Sequence, residues 1–191
     1  MPVVSTFDKR VGDQSLRRAM FWVRQANNHV LPPSDQSVEG TPGAPEFSGK
    51  FDVNCCMNPY LIEHEGQWRL YYAGADDKGK RRICMATAPA GDAANWTRHG
   101  PVFDVGPADS FDAAWCVLPH VVRMDNGKWH CYYTANCGKG EGLSSFPGIG
   151  VAISDDLVHW TKYEGNPVIK PSYVPGDPDA IGMAGGSVIK V

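Results

Sequence analysis

The hexapeptide Trp68-Arg69-Leu70-Tyr71-Tyr72-Ala73 returns as Trp129-His130-Cys131-Tyr132-Tyr133-Thr134, about 60 residues further along the chain. Both are short aromatic and apolar runs of strand length, bounded by turn residues. The register holds outward from this pair. Phe51-Asp52 is answered by Phe111-Asp112, Cys56 by Cys116, Pro59 by Pro119, and Asn95-Trp96-Thr97 by His159-Trp160-Thr161. A third copy opens at Asp179, because Asp179 to Val188 can be laid on Asp112 to Val121.

Each copy reads as four short strands. In the first these are Tyr60–Glu63, a Glu65-Gly66 turn, Trp68–Ala73, Arg82–Thr87 and the region Trp96–Phe103. The second gives Val121–Arg123, an Asp125-Asn126-Gly127 turn, Trp129–Thr134, Gly150–Ile153 and Trp160–Ile169. Asn-Gly between β-rich runs is a strong hairpin signal. Four strands in a unit of about 60 residues describe a propeller blade, so the fold class is all-β, a β-propeller of which about two blades and the start of a third are present. Trp96 and Trp160 fall on the outer part of each unit, where an aromatic packs between neighbours.

The expected domains are an N-terminal helix and linker over 1–50, a blade over 51–110, a second over 111–178, and the start of a third over 179–191. Asp13 caps the expected helix from about Gln14 to Asn28, with Leu16, Met20 and Val23 on one face, and Pro32-Pro33 stops it. Ser34 to Gly49 is a Gly/Pro/Ser-rich connector. Two blades and an opening strand cannot close a ring, and the last would show a bare edge. The expectation is therefore the N-terminal part of a longer protein, or a second chain that completes the ring. The helix offers a contact for a homo-oligomer.

Composition excludes several classes. With 42% hydrophobic residues the chain is too apolar for disorder, and no run of 18 apolar residues reads as a membrane helix. The net charge of −3, without a basic stripe, speaks against a nucleic-acid partner. MPVVSTFDKR at the N-terminus has no apolar segment of a secretory signal, so a cytoplasmic location is expected. The six cysteines fit no zinc spacing and read as free, partly buried thiols. Gly138 to Gly142 lacks the Gly-Lys-Ser/Thr ending of a P-loop and reads as part of a rim loop.

Val151 to Ile169 (VAISDDLVHWTKYEGNPVI) resembles the outer half of a blade in the five-bladed β-propeller glycoside hydrolases, the superfamily of families 32, 43, 68, 117 and 130. Pro119 to Tyr133 and Pro59 to Tyr72 resemble their first two strands. The likeness covers residues 51–191 and implies cleavage of a glycosidic bond in an oligo- or polysaccharide. It departs from families 32 and 43 at two places. Those families carry an Asp before the proline of the first inner strand, where this chain has Asn58 before Pro59 and, in its second unit, Leu118 before Pro119. They carry a Glu before the third inner strand, where this chain has Ala184-Gly185-Gly186.

Glycoside hydrolysis needs two carboxyl groups flanking the scissile bond. Asp52, Asp112 and Asp179 each precede an innermost strand, and lead-in segments of a propeller gather at one mouth of its channel. They are the expected catalytic residues, although an Asp in every blade also suits a turn or cap. Asn54, Asn58, Trp115 and His120 occupy neighbouring slots and are the expected substrate-binding residues. By resemblance alone, a channel histidine such as His120 joins waters around a calcium in family 43 members; no other cofactor is implied. The alternatives to a glycoside hydrolase are a non-catalytic glycan-binding propeller and a glycoside phosphorylase. The expected partners are a carbohydrate and whatever closes the ring, with no membrane and no nucleic acid.

Overall fold

Two residues in left-handed backbone set the first hairpin. Glu65 and Gly66 have φ of +52° and +72°, the pattern of a type I′ turn whose twist matches that of its strands. They join β1 (Cys55–His64) to β2 (Gln67–Ala75), and β3 (Arg81–Pro89) and β4 (Thr97–Pro101) complete a four-stranded antiparallel unit. The second unit repeats this with β5 (Trp115–Arg123), β6 (Trp129–Asn136), β7 (Gly148–Ser154) and β8 (Thr161–Lys162). Its first turn closes through Gly127, with the Met124 N–H bonded to the Lys128 carbonyl at 2.8 Å. A single parallel bridge, Arg81 to Trp115, joins the units into one mixed sheet.

This computed structural model describes residues 30–40 and 47–189, so the expected helix over 14–28 lies outside the described residues. From Leu31 onward the chain forms one unit. Two strand boundaries differ from expectation. The inner strands begin at Cys55 and Trp115, ahead of the prolines expected to open them, because Pro59 and Pro119 sit in bulges across which the ladder continues. The last strand of the second unit pairs only through Thr161–Lys162, and Ile169 meets Ile149 as an isolated bridge. Between them the Asn166 amide holds both the N–H and the carbonyl of Val151, at 2.8 and 2.9 Å.

The main core lies between the two units. Tyr71, Ile83 and Met85 from the first pack against Val121, Tyr133 and Trp160 from the second. Tyr71 is fully buried, donates its hydroxyl to the Leu157 carbonyl at 2.9 Å, and stands edge-on to Trp160. Burial of each such ring stabilises the seam by roughly 2–3 kcal/mol. Trp160 thus packs between neighbours as expected. On the opposite face of the first unit, Tyr72, Cys84 and Ala86 are covered by Leu31, Phe51 and Trp96. All six cysteines are free, and Cys84, Cys116 and Cys131 are fully buried.

Met183 makes a parallel bridge to Pro147 at the start of β7, just as Trp115 does to Arg81 at the start of β3. No helix among the described residues is long and apolar enough to cross a membrane.

Burial also fixes one pH response. His99 on β4 bonds Thr87 at 2.7 Å, and its burial, aided by the charge of Arg69, holds its pKa below the ordinary 6.5. The folded state then binds fewer protons than the unfolded chain, so this contribution to stability is present above about pH 6.5 and is lost as pH falls below it. Urea unfolding should show the midpoint falling from neutral to mildly acidic pH, and His99→Gln should flatten that slope. An unchanged slope in His99→Gln would rule out this assignment.

Candidate functional site

Each inner strand is interrupted at the same place. The ladder shifts register between Met57 and Tyr60 in β1 and between Val117 and His120 in β5. Proline lacks the N–H a ladder needs, so Asn58-Pro59 and Leu118-Pro119 form two-residue bulges. Asn58 and Leu118 both have φ of +54°. Asparagine tolerates this region, whereas for leucine it is a strained conformation that the surrounding ladder must hold.

The residue after each bulge meets its counterpart across the two units. Tyr60 Oη and His120 Nε2 lie 3.1 Å apart, with ring centroids separated by 4.3 Å. The side-chain amide of half-buried Asn58 has no hydrogen-bond partner among the described residues. At the starts of β3 and β5 the Arg81 guanidinium lies 3.9 Å over the Trp115 ring. The Trp115 N–H donates to the Gly79 carbonyl at 3.1 Å, and Phe146 stands beside it at 6.0 Å. Arg81 also reaches Met57 Sδ at 4.0 Å, and no carboxylate pairs with it among the described residues. The neighbouring Arg82 is held by Asp76 and Asp104, each at 2.7 Å. The Asn54 amide is committed to the Asp76 carbonyl at 2.6 Å.

The lead-in aspartates are arranged differently from the expectation. Rather than converging in one pocket, Asp52 and Asp112 are buried, 4% and 2% exposed, each inside its own unit. Asp52 accepts from the Tyr72 hydroxyl at 2.9 Å, from the Cys56 thiol at 3.5 Å, and from the Arg98 guanidinium. Asp112 accepts from Tyr133 at 3.0 Å, Cys116 at 3.8 Å, Lys162 at 2.5 Å and Ser110 at 2.9 Å. Burial above all pushes both tyrosine hydroxyls up, and it raises the Cys56 thiol to about 11, so these groups stay protonated as donors. A buried carboxylate is costly unless a cation and hydrogen bonds satisfy it, and here both are supplied. Glycine makes room for the phenol, since a Cβ on Gly150 would sit 2.5 Å from Tyr133 Cζ. Asp179 lies half-buried in a turn and has no ion pair among the described residues.

Tyr60 and His120 thus meet midway along the inner strands, Arg81 and Trp115 meet at the starts of β3 and β5, and the buried aspartates join neither pair. Neutral hydrogen-bonding groups beside an aromatic ring suit a polyhydroxylated ligand. No group of three or more His, Cys, Asp or Glu gathers among the described residues, and His120 faces a phenol rather than carboxylates. The donor set does not fit a calcium, which takes six to eight oxygens. Sequence reasoning missed Arg81, for which nothing in the repeat is a signal. It also missed Arg98 and Lys162 as aspartate partners, although Trp96-Thr97-Arg98 and Trp160-Thr161-Lys162 repeat in plain view.

Removing one member of a buried pair leaves the other uncompensated. Asp112→Asn should lower stability by about 3 kcal/mol in urea unfolding, and Tyr133→Phe by about 1–2 kcal/mol. In the Asp112→Asn background, Lys162→Met should recover part of the loss. A wild-type midpoint for Asp112→Asn would contradict this arrangement.

No protein-family model matches the chain. It is 28% identical over 116 residues to a 1,2-β-oligomannan phosphorylase from Thermoanaerobacter sp. (strain X514), covering 60% of this chain and 32% of that protein. A glycosyl hydrolase from Bacteroides ovatus superimposes with a TM-score of 0.55 at 24% identity, over 73% of this chain and 40% of that one. A structure from the GH130 family of mannoside phosphorylases, described as containing glycoside hydrolases that target β-1,2-mannosidic linkages in Candida mannan, gives 0.54 at 22% identity, over 73% and 39%. The chain thus has the blade fold of propeller glycoside hydrolases and spans about a third of the curated relative's length.

Proposed function

We propose that this chain forms two adjacent blades, and the glycan-holding wall between them, in a five-bladed propeller enzyme that cleaves a glycosidic bond. The observation that carries the reading is the pair of bulges beyond which Tyr60 and His120 meet across the two inner strands, with Asn58 two positions from Tyr60. Positions of the repeat that coincide in the two units, Asp52 with Asp112 and Tyr72 with Tyr133, are occupied by internal bonds. Of the positions that differ, Tyr60 and His120 meet midway along the inner strands, next to the bulges that carry Asn58 and Leu118, where a ligand-specific surface belongs.

In this reading Asp52 and Asp112 hold the blades, and the acid and base of the reaction come from elsewhere in the ring. The Asn58 amide takes a sugar hydroxyl, the Tyr60–His120 pair takes another, and Trp115 offers the face not covered by Arg81 to an apolar sugar face. The names of the similar proteins make a β-1,2-linked mannoside the first substrate to test. Phosphorolysis is a second reading. It is favoured by the similarity to an oligomannan phosphorylase and by the half-buried Arg81, a cation that pairs with no carboxylate among the described residues and suits the oxyanion that would replace water as nucleophile. The free thiols support a reducing compartment.

The test is incubation of the full-length protein with β-1,2-mannooligosaccharides, with and without inorganic phosphate, and identification of the products. Free mannose without phosphate identifies a hydrolase, and mannose 1-phosphate only in its presence identifies a phosphorylase. Binding without product across a panel of glycans would overturn the enzyme reading in favour of a glycan-binding propeller. Asn58→Ala and His120→Ala should each lower kcat/KM about tenfold or more. Asp52→Asn should lower stability, and it should lower the turnover of the folded fraction less than His120→Ala does.

A further inference from the structure

The two units differ most in two connections. β2 and β3 are joined by 76–80 alone, whereas β6 and β7 are joined by 137–147, which includes the 3-10 turn Gly142–Ser145. The path from β4 to β5 is 102–114, whereas the path from β8 to the Met183 bridge is 163–182. Insertions that break a repeat gather on one face, often the one that binds ligands. Here the two longer connections are fastened to each other. The Met183 N–H donates to the Phe146 carbonyl at 3.1 Å, and a side chain at Gly182 would run into the Leu143 carbonyl. The turn is also held at the end of β6, where the Asn136 amide donates to Ser145 Oγ at 2.9 Å and the Cys137 N–H to the Ser145 carbonyl at 3.0 Å.

Between these connections lies a cleft of about 450 Å³, within the size range of small-molecule sites. Leu143, Tyr173, Pro175, Asp177, Pro178 and Ile181 supply its larger side chains. Leu143, Tyr173 and Ile181 are 56%, 60% and 65% exposed, so the cleft leaves large apolar groups in water. Tyr173 has φ of +56°, a left-handed conformation that a bulky residue keeps only under constraint. Its ring belongs to neither core, and its hydroxyl has no hydrogen-bond partner among the described residues. Strain held without packing is characteristic of segments that clamp a ligand.

The walls select what enters. Asp177 and the Tyr173 hydroxyl supply the side-chain hydrogen bonding, and the remaining side chains are aliphatic or proline. A sugar ring brings hydroxyls on every side, too many for two such partners. The exposed Asp177 carboxylate repels an anion. An uncharged apolar group meets both conditions. The cleft also adjoins the glycan wall. Leu143 and Phe146 belong to one turn, about 6 Å apart along its axis, and the Phe146 ring stands 6.0 Å from that of Trp115.

We propose that this cleft binds an apolar, uncharged aglycone carried by the glycan, which lies against Tyr173, Leu143 and Ile181 while the sugar rests on Trp115. The substrate class is then a glycoconjugate rather than a plain oligosaccharide. The proposal rests on the glycan reading of the Trp115 wall and adds to it the group at the other end of the ligand.

Calorimetric titration of the protein with the methyl, n-hexyl and phenyl glycosides of β-1,2-mannobiose tests it. The hexyl or the phenyl glycoside should bind about tenfold tighter than the methyl one, and the larger gain tells an alkyl from an aromatic aglycone. In Tyr173→Gly and in Ile181→Ser the advantage should shrink to about twofold or less. Tyr173→Gly should keep the wild-type urea midpoint or exceed it, because glycine adopts left-handed backbone without strain. A lower midpoint would make Tyr173 a packing residue and overturn the proposal. Equal binding of all three glycosides would overturn it and leave the glycan reading intact, whereas binding of none would remove both. A dimer in solution that Ile181→Ser dissociates would also overturn it, since the cleft would then be a contact between copies.

Discussion

A carboxylate taken out of water must be met by a cation and by hydrogen bonds, or it costs several kcal/mol. Asp52 and Asp112 impose that condition on their units. In each, one carboxylate oxygen from the segment before the first strand gathers a phenol from the second strand and a cation from the fourth. Three parts of the unit are thereby tied at one point. The effect is strongest where backbone pairing is weakest: β8 contributes only Thr161 and Lys162 to the ladder, and Lys162 is the residue that reaches Asp112. On the first unit Arg98 additionally binds the Pro32 carbonyl, so the same cation fastens the connector that covers the outer face.

This condition also explains the repeated Tyr-Tyr doublet. Adjacent residues of a strand point to opposite faces. The first tyrosine of the doublet, Tyr71, faces the neighbouring unit and bonds Leu157; the second, Tyr72, faces its own aspartate. One dipeptide therefore serves cohesion between units and cohesion within a unit. Glycine is required alongside, because a side chain at Gly150 would occupy the space of the Tyr133 ring.

Most of the fold was legible because its determinants recur. The four strands per unit, the Glu65-Gly66 and Asn126-Gly127 turns and the packing of Trp160 follow from local chemistry that two copies state twice. The strand starts were misread, because Pro59 and Pro119 mark bulges rather than beginnings, and only the pairing of Cys55–Met57 with Ala73–Ala75 distinguishes the two. The lead-in aspartates show a deeper ambiguity. A carboxylate beside an inner strand has the same sequence signature whether it points to a channel or into the unit. The residues that decide, Arg98 and Lys162, lie 46 and 50 positions away. Arg81 over Trp115 was illegible for another reason, since it is a contact between units with no counterpart in either repeat.

The buried ties and the strained bulges are parts of one arrangement. A leucine in left-handed backbone persists only where its surroundings over-determine it. Leu118 lies between the paired segments Trp115–Val117 and His120–Arg123 of β5, which are anchored by β6 and, at the lead-in, by Asp112. Loosening that anchor would let the bulge relax toward ordinary strand geometry and would swing His120 away from Tyr60. The scaffold aspartates thus act on the candidate site without touching a ligand. Their replacement should weaken the 3.1 Å Tyr60–His120 contact before the unit unfolds, which separates a holding role from a catalytic one.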